Sequence, residues 1–317
     1  MGSVLSHLAP AQVAPLIDAL LDAGTNGFWA AVEVLDMYVY QTVERYEGLR
    51  QQIRRILTGF EIDALGDGRA VMETHHFGRI AKWMLSRGAD DQDTRPVAAK
   101  LAAEIIRWCV ERPGNLAGVD LIENVLHDLL KYQCDAVWPV FAEGMAAHRD
   151  RIWAFEHPLG KGYSGEKLTA GAIFLVPWPV LRTWCHRFPD FAPAFLMRVA
   201  PTFESGAAAT AESGAPQLEK KTETPTVGQR WHPIVLRLLD DFGDRHDVLS
   251  ALSGNMMSFF WRGSLVPYFE QYIEPLKALL NHHRPSVVTW ARQQLEAQRH
   301  DIRDARLRDD EREFGIW

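Results

Sequence analysis

The sequence predicts an all-α fold built as an α-solenoid of stacked helical hairpins, and three observations carry that expectation. Apolar residues recur at helical spacing through most of the 317 residues. A short aromatic-proline signature returns along the chain: Trp138-Pro139-Val140-Phe141, Trp178-Pro179-Val180-Leu181 and, with one inserted residue, Trp231-His232-Pro233-Ile234-Val235. No segment alternates apolar and polar residues convincingly, as a half-buried strand would.

The first helix is expected over Pro10 to Leu21, where Val13, Leu16, Ile17, Leu20 and Leu21 keep the period until Gly24-Thr-Asn-Gly27 breaks it. Two or three helices should follow, carrying Phe28, Ala31, Val32, Val34, Leu35 and Tyr38 and then Val43, Tyr46, Leu49, Ile53 and Leu57. Gly66-Asp-Gly68 reads as a turn, and Ile80 to Leu85 closes another helix before a polar loop from Ser86 to Arg95. From Pro96 the pattern sharpens, with Val97, Leu101, Ile105, Trp108 and Cys109 on one face and Lys100, Glu104 and Arg107 on the other. Pro113-Gly114 and a capping Asn115 lead to a helix with the stripe Ile122, Val125, Leu126, Leu129, Leu130, antiparallel to the one before.

Pro139 and Pro179 stand 40 positions apart, inside the period of about 40–47 residues typical of HEAT and armadillo repeats. The next spacings, to Pro233 and Pro285, are longer, so the hairpins are irregular. The segment from Glu204 to Arg230 is rich in Gly, Ala, Ser, Thr, Glu, Lys and Pro without an apolar period, and reads as a loop or linker. In Leu279 to Leu295 the grammar is clearest: a helix ends at Leu279-Leu280, Asn281-His282-His283-Arg284 turns the chain, and Pro285 opens the next helix. Proline suits a first helical position because the N–H it lacks has no partner there. From Ala297 to Glu313 the apolar face gives way to Arg, Asp and Glu, with Asp304 and Arg308 at i, i+4, which reads as a solvated capping helix. The expected divisions are an N-terminal helical segment 1–95, HEAT-like repeats 96–203, a linker 204–230 and C-terminal hairpins 231–317.

Composition narrows the function classes. The chain is 47% hydrophobic and 24% charged, with formal net charge -7, which disfavours a long phosphate-backbone footprint while allowing a local basic patch. Cys109, Cys134 and Cys185 lack metal-type spacing, so reduced, buried thiols and a cytoplasmic location are expected. The N-terminus carries no secretory pattern, and the apolar run from Leu168 to Leu181, interrupted by Pro177 and Pro179, falls short of the ~20 residues that span a bilayer. No membrane partner and no cofactor are therefore expected.

The run Leu238-Leu239-Asp-Asp-Phe-Gly243-Asp-Arg-His-Asp-Val248-Leu249-Ser-Ala-Leu252, the run Phe260-Trp261-Arg-Gly263-Ser264-Leu265-Val-Pro267-Tyr268 and the Leu279–Leu295 stretch resemble a HEAT-like helical-repeat module. That module is found at the C-terminus of large bacterial multidomain proteins, many NTPase-linked and suspected of antiphage defence. The resemblance covers roughly Trp231 to Gly315 and implies a scaffold or sensor. It transfers no catalytic residue, because such modules travel with different catalytic partners.

Candidate chemistry is sparse. Glu73-Thr-His75-His76 lacks the HExxH spacing, and adjacent histidines do not share a helix face, so no metal site is expected there. His282-His283 reads as turn polarity, and His232 and His246 as helix-end polarity, His232 as a cap, the alternative for His246 being a pair in which the Asp247 carboxylate orients the imidazole. Gly160-Lys-Gly-Tyr-Ser-Gly165-Glu166-Lys167 fails the phosphate-loop template because Glu166 stands where lysine is required, and a flexible inter-repeat loop is expected. The tryptophans Trp108, Trp138, Trp178, Trp184, Trp231, Trp261 and Trp290 are read as inter-repeat packing, the competing role being a base- or peptide-stacking groove. Phe259, Phe260, Trp261 and Arg262, beside Gly263, are the candidate edge for a protein partner. A non-catalytic, protein-binding scaffold is thus the expected function. The rivals are a HEAT-like nucleic-acid enzyme such as a DNA glycosylase, with Asp240 or Asp241 near Trp231 and Arg237 as its carboxylate, and an inhibitor or immunity-type protein.

Overall fold

A computed structural model describes residues 7–39, 43–61, 71–87, 94–111, 119–160, 162–164, 167–169, 171–204, 230–257 and 263–314. The chain is all-α apart from one small ribbon, and it divides into two compact units, Met1–Phe188 and Pro189–Trp317. Among the described residues no helix is long and apolar enough to cross a membrane.

In the first unit, α1 (Pro10–Asp22) and α2 (Thr25–Val39) pack as a hairpin. The turn between them needs its glycines. Gly24 has φ 83, and a Cβ on Gly27 would lie 2.1 Å from the Leu20 carbonyl oxygen. Then come α3 (Val43–Gly48), α4 (Arg50–Gly59), α5 (Val71–Arg87), α6 (Thr94–Glu111), α7 (Val119–Tyr132) and α8 (Cys134–Ala147). The α6 stripe buries Val97, Leu101, Ile105, Trp108 and Cys109, the face its periodicity marks. Helices that are not neighbours in sequence pack on one another: α2 on α5 and α5 on α7, and likewise α4 on α6 and α6 on α8. Contacts α4–α5, α6–α7 and α7–α8 join the two rows. Each apolar stripe is too wide for one neighbour to cover, so every helix is buried from two sides.

Two expectations for this unit change. Pro139 lies inside α8, not at a helix start, whereas Pro179 occupies the first turn of α10 (Trp178–Arg187) and Pro233 that of α12 (Pro233–Phe242). The repeated signature therefore covers two different local structures. Trp138 still packs, meeting Trp184 edge-on with ring centroids 5.3 Å apart. Past a short 3-10 stretch and α9 (Glu156–Leu159), the expected loop contains an antiparallel ribbon, β1 (Gly162–Ser164) with β2 (Lys167–Thr169), Gly162 opposite Thr169. Three-residue strands are too short to show alternation. The turns placed at Gly66–Gly68 and Pro113–Asn115 lie outside the described residues.

The second unit contains α11 (Ala192–Val199), α12, α13 (His246–Met256), α14 (Val266–Glu270), α15 (Ile273–Leu279) and α16 (Pro285–Glu313). The expected linker has clamped ends: Phe203 bridges Trp231, the Glu204 N–H donates to the Arg230 carbonyl (2.9 Å) and the His232 N–H to the Thr202 carbonyl (3.0 Å). Residues 205–229 lie outside the described set. Trp231 is a packing residue, its Nε1–H donating to the Pro275 carbonyl at 2.8 Å and its ring lying beside Phe203. Asn255 Nδ2 donates to the carbonyls of Met197 and Ala200, tying α13 to the end of α11.

The C-terminal charged stretch departs from its expectation. It continues α16 from Pro285 without a break and keeps a narrow buried stripe, Gln298, Ile302 and Ala305, of which Ile302 and Ala305 cluster with Phe269, and Leu265, Val266 and Ile273 pack against that cluster. One small residue and one amide in the stripe hide it from a hydropathy reading. Asp304 pairs with His300 Nδ1 at 3.1 Å, and Arg308 donates to the Asp304 carbonyl instead of the carboxylate.

Candidate functional site

The turn between α15 and α16 docks on the C-terminal end of α12. Gly243 follows that helix, and a Cβ there would lie 2.5 Å from Val287 Cγ2, so glycine lets α16 approach closely. Arg284 then reaches across. Its Nε donates to the Asp240 carbonyl (2.6 Å), one terminal nitrogen donates to the Asp241 carbonyl (3.3 Å), and the other pairs with the Asp244 carboxylate. Ser286 Oγ donates to the Gly243 carbonyl and meets Asp244 Oδ1 at 2.6 Å. Carbonyls in the last turn of a helix have no intrahelical partner, and a guanidinium satisfies two at once while complementing the dipole. Ser286 and Arg284 hold the Asp244 carboxyl below the usual carboxylate range.

This docking brings Asp240 together with His282 and His283. His282 Nε2 lies 3.1 Å and His283 Nδ1 3.6 Å from Asp240 Oδ1, and the rings stack with centroids 4.5 Å apart. Asp240 and His283 are exposed, whereas the His282 side chain is 9% exposed. His282 Nδ1 accepts the Arg284 N–H at 3.2 Å. Its Nε2 is buried and, despite the nearby carboxylate, off the line that a hydrogen bond requires. Burial, then the neighbouring His283, push the His282 imidazole below its usual range, leaving it neutral at pH 7. Donor atoms of the three residues all lie within 4.8 Å of one another, and among the described residues no other three His, Cys, Asp or Glu side chains come so close.

A second cluster lies inside the first unit. Asp36 of α2, 1% exposed, faces α5, where His76 Nδ1 lies 2.5 Å from Oδ2 and Arg79 makes a two-pronged contact, Nε to Oδ1 at 3.0 Å and a terminal nitrogen to Oδ2. His76, expected to carry no chemistry, is thus committed to a buried ion-paired contact. His75 is exposed, and the Glu73 side chain lies outside the described residues. Periodicity alone does not reveal Asp36 or Arg79, because a lone carboxylate on a helix resembles any solvated position.

Other candidates resolve individually. His232 caps α12 as expected, Nδ1 accepting the Ile234 N–H at 3.3 Å. Asp247 does not serve His246; both its oxygens take Arg245, at 3.0 and 2.7 Å, which holds its carboxyl below the usual range. Cys109 and Cys185 are buried and outside any disulfide, and burial pushes Cys109 up to about 12, so Cys109 is not a ready nucleophile. Phe259, Phe260, Trp261 and Arg262 lie outside the described residues. Asp240 and Asp241 sit at the negative end of α12 beside Asp244, surroundings that repel phosphate, and Trp231 is buried away from any base. Compared with protein-family models, curated proteins and solved structures, the chain matches none.

Proposed function

We propose that the chain is a non-catalytic α-solenoid scaffold of irregular HEAT-like hairpins that binds a protein partner in the cytoplasm, in the setting of prokaryotic antiphage defence. The observation that carries the reading is the packing of the first unit, where α2, α5 and α7, and likewise α4, α6 and α8, pack in succession as two rows. In such a stack no single hairpin covers its own apolar face, neighbours cover one another, and an extended surface remains for macromolecular recognition. The resemblance of Trp231 to Gly315 to a defence-associated module supplies the setting. The chemistry agrees: a charge of -7, carboxylates crowded around Asp240, His282 and His283, and a buried Cys109 thiol favour a protein over a nucleic acid or a reaction centre.

The partner edge is assigned to Phe259–Arg262. Met257, the last described residue before it, is 52% exposed. The test is capture from the native host followed by calorimetry with the captured protein purified. A stoichiometric complex weakened by Trp261→Ala supports the reading. Turnover of a substrate by the unaided chain, or DNA binding that falls steeply with salt, overturns it.

A further inference from the structure

We propose that Asp240, His282 and His283 form a binding site for a divalent cation of the zinc class, with Asp240 Oδ1, His282 Nε2 and His283 Nδ1 as ligands. Zinc bonds of about 2.0–2.1 Å in tetrahedral geometry put ligand atoms about 3.3 Å apart. The two separations from Asp240 Oδ1, 3.1 and 3.6 Å, bracket that spacing. The remaining edge closes by rotation of His283, whose side chain is 65% exposed and packs on one face against His282.

An independent observation points to the same ligand. His282 Nε2 is a buried polar atom without a hydrogen-bond partner, on a side chain nine-tenths buried and directed at Asp240. Buried polar atoms are nearly always satisfied, so an exception calls for a missing partner. A cation between Nε2 and Oδ1 is that partner. Two imidazoles and one carboxylate suit zinc, nickel, cobalt or copper, not calcium or magnesium, which prefer oxygen sets. Three protein ligands leave one tetrahedral position for water.

The surroundings favour positive charge at this point. The carbonyl end of α12 faces the site, and Asp241 and Asp244 lie alongside. The nearest opposing charge, Arg284, is already spent on two carbonyls and the Asp244 carboxylate. A bound ion would bridge α12 to the α15–α16 turn and so staple the second unit.

Ligation has a specific cost and therefore a specific signature. With Nδ1 accepting the Arg284 N–H, the His282 ring proton sits on Nε2. To ligate, Nε2 must present its lone pair, so the proton moves through solvent to Nδ1 and the Arg284 N–H bond is given up. The test is titration of the full-length chain, freed of metal by chelation, with zinc and with cobalt. The expected results are one equivalent bound, a tetrahedral cobalt absorption spectrum, a raised melting temperature, and a switch of His282 from the Nε2–H to the Nδ1–H tautomer in nitrogen-detected NMR. Asp240→Asn and His283→Ala, both at exposed positions, should each weaken binding at least about tenfold. His300→Ala, which removes a surface His–Asp pair, should leave binding unchanged. Binding that is unaltered in both site variants, or an unchanged His282 tautomer at saturating zinc, overturns the proposal. Circular dichroism of each variant separates loss of ligation from loss of fold.

Discussion

Each unit contains an Asp that meets the second histidine or both histidines of a His-His pair some forty residues downstream: Asp36 with His76, and Asp240 with His282 and His283. The outcomes differ because of where the arginine goes. In the first unit Arg79 brings two nitrogens to the buried Asp36 carboxylate, so the charge is neutralised and the imidazole joins a complete set. In the second, Arg284 turns to the carbonyls at the end of α12 and to Asp244, leaving Asp240 exposed and His282 Nε2 unmatched. A saturated cluster is architecture, and an unsaturated one is open to a ligand.

The largest effect expected is in the saturated cluster. Asp36→Ala should destabilise the first unit by about 3 kcal/mol, because it removes a buried carboxylate that both His76 and Arg79 contact. Denaturant unfolding followed by tryptophan fluorescence measures it, and a loss below 1 kcal/mol would place the cluster with ordinary surface pairs. Arg284→Met should cost the second unit about 1–2 kcal/mol, since two helix-end carbonyls lose a charged donor that water partly replaces. A zinc titration of the same variant should still show binding, which separates the cap from the ligands.

The pH response comes next. Asp244 and Asp247 have folded-state values below their unfolded ones, so the unfolded chain binds protons more readily. Their contribution is therefore fully present above the unfolded carboxylate value of about 3.9 and is lost as pH falls through the folded values. Thermal melts should show little change from these groups between pH 7 and 5 and a decline below about 4; Asp247→Asn should flatten part of that decline. The smallest effect sharpens the comparison most. Asp240→Asn in metal-free buffer should change stability by less than about 0.5 kcal/mol, as an exposed position away from a buried network does, in contrast to Asp36→Ala.

Much of the local structure is legible in the residues. The stripe from Val97 to Cys109, the helix opened by Pro285 and the cap at His232 follow from spacing and from which backbone groups a helix end leaves unpaired. Where local reading fails, the deciding partner is distant. Pro139 resembles Pro179 in its neighbours but sits inside a helix that packing sustains. Ala305 looks unsuited to a core until it packs with Phe269 and Ile302. Asp247 stands next to His246 in sequence yet meets Arg245, whose fork matches both its oxygens.

The site follows the same division. Asp240, His282 and His283 are each visible as polar residues at a helix end or turn, and the sequence alone determines that much, because Leu279-Leu280 and Pro285 bound the turn. That the three meet is decided by the tertiary structure, through the absent side chain of Gly243 and the reach of Arg284 across forty residues. Helical periodicity is a local property, written every three or four residues. Convergence of side chains depends on which faces pack, and packing is settled by the apolar stripes of several helices at once.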